Sequence, residues 1–195
     1  MELEDVRVAV ESGTDAIGFV FAKSRRQVTA EKAKELATAV PSGILKVGVF
    51  VNETLEEVVR IAREVPLDAV QLHGDESPDY VRQVPFPTIK AISITNEEDV
   101  QRASHYKVDY FLFDAPGVEF RGGSGKSFDW SLLAKAKIPH EKVILAGGLN
   151  ASNINEAINS VQPFMVDVSS GVETEYRKDP LKIQSFVSTV REEER

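Results

Sequence analysis

The sequence predicts an α/β fold, a parallel (β/α)8 TIM barrel whose first β-strand is absent from the chain. Strand and helix signals alternate along the sequence and give seven strands and eight helices. The predicted strands are short, β-branched and apolar at consecutive positions, which is typical of a parallel sheet covered by helices. A closed barrel needs eight units and begins with a strand, so the missing element is the strand ahead of Met1.

An open doubly wound sheet is the alternative architecture. Such a sheet normally has a glycine-rich turn after its first strand. In this sequence the glycine-rich strand ends follow the last two predicted strands instead. The position of the glycines therefore favours the barrel.

The chain opens with a predicted helix. Leu3, Val6 and Val10 recur at three- and four-residue spacing, and Gly13 ends the pattern. Residues 15–21 are almost wholly apolar and predict the strand that follows. A chain that begins on a helix is consistent with a barrel that lacks its opening strand.

The remaining elements alternate without exception. Strands are predicted at 46–51, 69–74, 88–93, 109–115, 143–149 and 166–172, and helices at 30–40 and 54–64, after 77, from 96, at 130–137, from 152 and after 179. Thr54 and Glu57 have the spacing of a capping box. Ser77 is followed by Pro78 at the first helical position, where proline is favoured.

Composition and length indicate one domain over residues 1–195, with no linker and no low-complexity stretch. The net charge of −8 argues against nucleic acid or an anionic membrane surface as a partner. The sequence has neither an apolar run of about 18 residues nor a basic leader, so we expect a cytoplasmic protein without a membrane span. It has no cysteine, which excludes disulfides, thiolate metal sites and a cysteine nucleophile in this chain.

Glycine-rich ends follow the last two strands and predict a phosphate site. In (β/α)8 barrels phosphate commonly binds at these positions. Gly147, Gly148, Ser170 and Gly171 can bring bare backbone N–H groups to an anion. The alternative is that these glycines are ordinary turn residues.

A third glycine-rich segment, GGSGKSFDW, includes Gly122 and Gly123. It is not a Walker A loop, because that motif needs a glycine where this chain has Phe120. We expect the segment to border a phosphorylated ligand or to act as a mobile cover. Asp129 is expected to cap the helix that follows.

Asp114 is the candidate proton donor. It ends the strand FLFD and is expected to point into the mouth of the barrel, where partial desolvation would raise its pKa. A helix cap or an ion-pair partner is the alternative role. Asp167 lies within VDVSS, and we expect it to be a buried structural residue.

The candidate cations and histidine follow other strands on the same face. Arg26 can grip a substrate carboxylate with two parallel hydrogen bonds, although the adjacent Arg25 could take that role. His73 is expected to line the pocket, with an orienting role as the alternative. Lys90 is either a pocket cation or an ion-pair partner of Asp114. No clustered ligand pattern is present, so we predict no metal site.

Taken in order, the motifs DAIGFVF, SRRQVT, KVGVFVNE, VQLHGDE, IKAI, FLFDA, GGSGKSFDW, ILAGGLN and VDVSSGVE resemble the phosphoribosylanthranilate isomerase family. The resemblance extends from Leu3 to about Phe186. It implies an Amadori rearrangement in tryptophan biosynthesis, a branch of aromatic amino-acid biosynthesis. A phosphorylated anthranilate is then the small-molecule substrate, and no cofactor is implied.

The resemblance also implies roles for individual residues. Asp114 resembles the general acid that protonates the furanose ring oxygen, and Arg26 resembles the residue that binds the anthranilate carboxylate. The glycine ends resemble the phosphate cradle. The family's first strand reads close to KICG, and its cysteine is the general base. Because this chain has neither, we expect it to be weakly active as given. A late-assigned start or a genuine truncation would each explain the difference, and the intact remainder favours the first.

Two other functions stay open at this level. Indole-glycerol-phosphate synthase is another phosphate-binding barrel enzyme, but its chemistry needs a catalytic lysine and glutamate set that Lys90 alone does not supply. A non-catalytic barrel that binds phosphorylated ligands is the other. The sequence is compatible with either a monomer or a homodimer.

Overall fold

Seven parallel strands form one curled sheet whose strand order follows the chain. A computed structural model describes residues 1–116, 128–134 and 138–193. The strands are β1 (Ala16–Val20), β2 (Leu45–Phe50), β3 (Ala69–Leu72), β4 (Thr88–Ser93), β5 (Tyr110–Asp114), β6 (Val143–Leu145) and β7 (Met165–Val166). Each strand pairs in parallel with the next one along the chain. The predicted parallel α/β architecture is confirmed.

Helices alternate with these strands. Over the described residues they are α1 (Leu3–Glu11), α2 (Ala30–Ala37), α3 (Leu55–Glu64), α4 (Pro78–Val81), α5 (Glu97–Arg102), α6 (Ser131–Ala134), α7 (Ile154–Val161) and α8 (Pro180–Glu193). Thr54 caps α3 by accepting a hydrogen bond from the Glu57 amide, but its own amide donates to Glu53, so only half of the predicted capping box forms. Pro78 opens α4 as predicted. No helix in the described parts of the chain combines the length and apolar character needed to cross a bilayer.

A small antiparallel hairpin between β7 and α8 was not predicted. Its strands are β8 (Glu173–Thr174) and β9 (Arg177–Lys178). The two turn residues, Glu175 and Tyr176, have φ of 49° and 64°. Tight hairpin turns of this kind usually use glycine or asparagine, so the sequence lacks the signal that would have predicted the hairpin.

Strand residues alternate between an inner and an outer core. The inner cluster contains Val47, Ala69, Ile89, Leu112 and Ile144, one from each of five neighbouring strands. Alternate positions on the same strands pack outward beneath the helices, in two larger clusters. The period-2 alternation of strands therefore decides which side chains can reach the interior of the curled sheet.

The sheet is open between its first and last strands. In the part of the chain that the structure describes, β2 is the only strand that pairs with β1, and β6 is the only strand that pairs with β7. The last residue of β1, Val20, also forms an isolated parallel bridge to Gln27. Other elements bridge the opening. Helix α1 packs against α8, and the Arg191 guanidinium on α8 lies 2.7 Å from the Asp15 carboxylate just before β1.

Lys90 and Glu76 form a buried ion pair that ties two loops together. Their side chains are only 3% and 2% exposed, with Nζ 3.0 Å from Oε2. Nζ also donates to the carbonyl oxygens of Leu72 and Gly74. The Glu76 carboxylate in turn accepts from the amides of Gly74 and Asn52. The loops after β2 and β3 are therefore held by one charged network.

The contacts of Lys90 in this network differ from those expected from the sequence. Its neighbours Ile89 and Ala91 belong to the inner cluster, so Lys90 lies on the outward face of β4. All three N–H donors of its ammonium group are directed to the network described above. Lys90 is therefore a structural residue. Among the described residues its ion-pair partner is Glu76 and not Asp114, so neither of the two predicted roles is correct.

Replacing Lys90 with methionine is expected to lower the free energy of unfolding by about 3–5 kcal/mol, because the Glu76 carboxylate would remain buried without its cation. Urea denaturation measures the loss. Lys32→Met is the matched control, since Lys32 pairs with Glu35 on the exposed face of α2 and its removal should cost at most about 1 kcal/mol. Equal small losses in both variants would contradict the structural role.

Candidate functional site

Asp114 and His73 meet at the carboxyl-terminal rim of the sheet. Asp114 is the last residue of β5 and is only 4% exposed. His73 follows β3, and its Nε2 lies 3.3 Å from Asp114 Oδ2. Gln71 Nε2 lies 3.1 Å from His73 Nδ1. If Gln71 is the donor, a neutral His73 carries its proton on Nε2, toward Asp114.

The contact between His73 and Asp114 is close but is not an aligned hydrogen bond. His73 Nε2 is buried and has no properly oriented hydrogen-bond partner among the described residues. A buried polar atom without a partner is uncommon, and it often marks a functional position. His73 Nε2, beside Asp114, can therefore form a hydrogen bond that is not made in this structure.

Asp167 differs from its predicted role. It follows the edge strand β7 and is accessible to solvent, so the expectation of a buried structural residue is wrong. Protein atoms still crowd it. Partial desolvation, with the nearby charge of Asp114, raises the pKa of the Asp167 carboxyl, while His73 and Lys178 act in the opposite direction.

Arg26 is held in a bidentate ion pair with Glu173. Arg26 Nε lies 2.7 Å from Glu173 Oε1, and Nη2 lies 2.8 Å from Oε2. Lys178 Nζ is 3.2 Å from the same carboxylate and also donates to the Ser169 carbonyl oxygen. The Glu173 side chain is 7% exposed and that of Arg26 is 24% exposed. Two cations therefore share one carboxylate at the rim.

The ionisation of this cluster follows from its contacts. Burial alone would raise the pKa of Glu173, but the hydrogen bonds from Arg26 and the charge of Lys178 outweigh it, so the net pKa is lowered. The hydrogen bonds that Arg26 donates to Glu173 raise the pKa of Arg26, and the charge of Asp167 adds to that shift. Asp167 is thus in electrostatic range of Asp114, Lys178 and Arg26.

Arg25, the alternative carboxylate ligand, has a different partner. Its guanidinium carbon lies 3.9 Å from the centre of the exposed Tyr176 ring at the tip of the hairpin. This is cation–π geometry. Arg25 and Arg26 therefore both connect the loop after β1 to the hairpin that follows β7.

The two glycine-bearing strand ends are packed closely. Gly147 has φ of 88°, and a Cβ there would lie 2.4 Å from the Ala115 amide nitrogen. A Cβ on Gly171 would lie 1.8 Å from the Leu149 carbonyl oxygen. Glycine is therefore required at both positions for loop packing, and the loop after β6 lies directly against the loop after β7.

The loop after β7 begins with backbone amides that its own short helical turn does not use. Residues Ser170–Val172 form a 3₁₀ turn, and the first amides of such a turn have no partner within it. The amides of Ser170 and Gly171 are these groups. Next to them is Gly148, which has φ of 67°. These four predicted glycine and serine positions lie on adjoining loops at one rim.

Two predicted residues, Gly122 and Gly123, lie outside the described residues. At the far end of the same segment, Asp129 Oδ1 accepts a hydrogen bond from the Ser131 amide at the start of α6. The predicted cap is confirmed.

Over the described residues, no three His, Asp or Glu side chains are grouped so that they could hold a metal ion.

Glu173 and Lys178 are the rim residues that sequence reasoning missed. Glu173 ends the motif VDVSSGVE, and its charge beside a glycine-bearing strand end was the available signal. Lys178 is brought to the rim only by the hairpin, which the sequence did not predict.

The chain matches known proteins along nearly its whole length. The sequence profile of N-(5′-phosphoribosyl)anthranilate (PRA) isomerase matches residues 1–189. An N-(5′-phosphoribosyl)anthranilate isomerase of Bacillus cereus (strain Q1) is 51% identical over 192 residues, covering 98% of this chain and 94% of that protein.

Solved structures give the same result. Phosphoribosyl anthranilate isomerase from Thermotoga maritima superimposes with a TM-score of 0.89 at 42% identity, covering 98% of this chain and 95% of that one. A second structure of such an isomerase, in complex with reduced 1-(o-carboxyphenylamino)-1-deoxyribulose 5-phosphate, has a TM-score of 0.85 at 39% identity, covering 98% and 94%. The chain belongs to the N-(5′-phosphoribosyl)anthranilate isomerase family.

Proposed function

We propose that the chain converts N-(5-phosphoribosyl)anthranilate to 1-(2-carboxyphenylamino)-1-deoxyribulose 5-phosphate, an Amadori rearrangement in tryptophan biosynthesis. One observation carries the proposal. A buried carboxyl group, an oriented arginine and a set of backbone amides lie on one rim of a sheet with the family's architecture. The substrate has a ring oxygen, a carboxylate and a phosphate that require these three kinds of group.

Asp114 is proposed as the general acid. Proton transfer from Asp114 to the furanose ring oxygen breaks the bond between that oxygen and C1, and the anthranilate nitrogen supplies electrons to form an iminium ion. Loss of the C2 proton to a base then gives an enolamine, which tautomerises to the ketone. The substrate is oxidised at C2 and reduced at C1, so the reaction needs no external redox cofactor. His73, 3.3 Å from Asp114, is proposed to orient this carboxyl group.

The base is proposed to come from a strand between β1 and β7. In the described chain neither strand has a second neighbouring strand there, although Val20 at the end of β1 is bridged to Gln27, and an eighth parallel strand would close the barrel. The family resemblance places the sequence KICG in that strand, with cysteine as the base. The residues present include no cysteine, so weak activity is expected without the strand.

The remaining roles are for binding. The amides of Gly148, Ser170 and Gly171 are proposed to bind the phosphate, since backbone N–H groups can hold an anion in a chain of negative net charge. Gly147 is proposed to shape the same cradle through the close packing of its loop. Gly122 and Gly123 are proposed to border the ligand. We place the reaction in the cytoplasm, with the phosphorylated anthranilate as the small-molecule partner and the chain as a monomer or a homodimer.

Arg26→Ala is expected to raise KM by roughly 10- to 100-fold with a smaller change in kcat, because a charge-assisted bidentate contact to the substrate carboxylate is lost. Steady-state kinetics measure both constants. Arg25→Ala is the matched control and should change KM by less than about threefold, since its guanidinium rests on Tyr176. A large effect of the Arg25 variant with none at Arg26 would assign the carboxylate to Arg25.

Binding and turnover together test the proposed function. The reduced product analogue should bind the chain, and turnover of N-(5-phosphoribosyl)anthranilate should be detectable by chromatography of the product. Binding without turnover, even in a chain extended by a KICG-like strand, would favour a non-catalytic binding barrel. Failure to bind the analogue at all would contradict the proposal.

A further inference from the structure

Glu173 binds Arg26 through one edge of its guanidinium group. A guanidinium group has two edges that can bind a carboxylate side by side. Glu173 occupies the edge formed by Nε and Nη2, at 2.7 and 2.8 Å. The other edge, formed by Nη1 and the second N–H of Nη2, makes no hydrogen bond to any residue in the described ranges. One carboxylate is thus already bound in a way that leaves two N–H donors of Arg26 for a second.

The charge of the cluster favours a second carboxylate. Arg26 and Lys178 contribute two positive charges and Glu173 contributes one negative charge, so these three ion-paired side chains have a net charge of +1. The nearby Asp167 carboxyl offsets part of this charge from outside the ion pairs. Without Lys178, the Arg26–Glu173 pair would be neutral and would attract an anion less strongly. A local excess of positive charge matters in a chain whose net charge is −8.

The side chains of Arg26, Glu173 and Lys178 are also held in place by several contacts. The Glu173 side chain is almost fully buried, and Lys178 is anchored both to it and to the Ser169 carbonyl oxygen at 2.8 Å. A guanidinium held on one edge by a buried carboxylate loses most of its rotational freedom before a ligand arrives. Preorganisation of this kind reduces the entropy that binding must otherwise offset.

We propose that Glu173 is a positioning residue, which orients Arg26 so that its free edge receives the carboxylate of the substrate, with Lys178 fixing Glu173. The inference rests on the proposed function and adds two residues to it. The opposite role would be competition, in which Glu173 occupies Arg26 and must be displaced by the substrate. The two roles predict effects of opposite sign when the charge of Glu173 is removed.

Calorimetric titration of the full chain with two ligands separates these roles. One ligand is reduced 1-(o-carboxyphenylamino)-1-deoxyribulose 5-phosphate, and the other is the same molecule without its carboxyl group. Glu173→Gln should weaken binding of the first ligand roughly 10-fold and leave the second within about twofold. In an Arg26→Ala background, Glu173→Gln should have no further effect on either ligand.

Other results overturn the inference. Tighter binding of the carboxylated ligand by Glu173→Gln would show competition, and equal weakening of both ligands would show a merely structural role. If Glu173→Gln does not fold, Lys178→Met replaces it and should weaken only the carboxylated ligand, by roughly threefold. If the unmodified chain binds neither ligand, the proposed function fails together with this inference. If it binds both ligands with equal affinity, only the assignment of a carboxylate site fails.

Discussion

Extension of the chain by an amino-terminal strand reading Lys-Ile-Cys-Gly ahead of α1 is expected to raise kcat by about 10²- to 10⁴-fold. This is the usual contribution of a positioned general base. The outer edges of β1, ahead of its bridge at Val20, and of β7 offer hydrogen-bonding groups to such a strand, and its cysteine is the proposed base. Steady-state turnover of the original and extended chains gives the ratio.

The same extension with alanine in place of cysteine separates the effect of the base on turnover from the effect of strand pairing on stability. This matched variant should regain the stability of a closed barrel, because the strand edges would be paired, but it should keep the low turnover of the original chain. Equal turnover with cysteine and with alanine would show that the base lies elsewhere on the rim. Thermal unfolding of both extended chains checks that the strand is in place.

Asp114→Asn in the extended chain is expected to lower kcat by about 10²- to 10⁴-fold, because asparagine cannot deliver a proton to the ring oxygen. The amide has nearly the same size as the carboxyl group, so the buried position beside His73 should be retained. Affinity for the reduced product analogue should change by less than about threefold. Such a loss of kcat without a loss of binding identifies a group that acts in the transition state.

Asp109→Asn is the matched control for this variant. Asp109 precedes β5 at the opposite rim, where its carboxylate accepts a hydrogen bond from the Thr88 amide. Its replacement is expected to leave kcat within about twofold. If the Asp114 variant retained full turnover but lost affinity, Asp114 would be a binding residue and the proposed acid would have to be found elsewhere.

The parallel sheet was predictable because each strand has a strong and local signal. Runs of consecutive apolar, β-branched residues separated by capped helices have few other interpretations. The same logic placed Asp114 at a strand end, and the structure puts it there, nearly buried. Cap residues such as Thr54 were predicted for the same reason, since their hydrogen bonds lie within a few residues.

The contacts among Arg26, Glu173 and Lys178 were not predictable in this way. Arg26 and Glu173 are 147 positions apart, and their ion pair exists only because the two strand ends meet at one rim. The hairpin that brings Lys178 there has a turn without glycine or asparagine. Lys90 could have been assigned better, because strand alternation places it opposite Ile89 and Ala91, which face the interior.

The most direct test of the central claim is a crystal structure of the chain with the reduced product analogue bound. The proposed arrangement predicts the phosphate on the amides of Ser170 and Gly171, the anthranilate carboxylate on the free edge of Arg26, and the Asp114 carboxyl within hydrogen-bond reach of the sugar. A ligand bound at the opposite rim, or at this rim with its sugar far from Asp114, would contradict it.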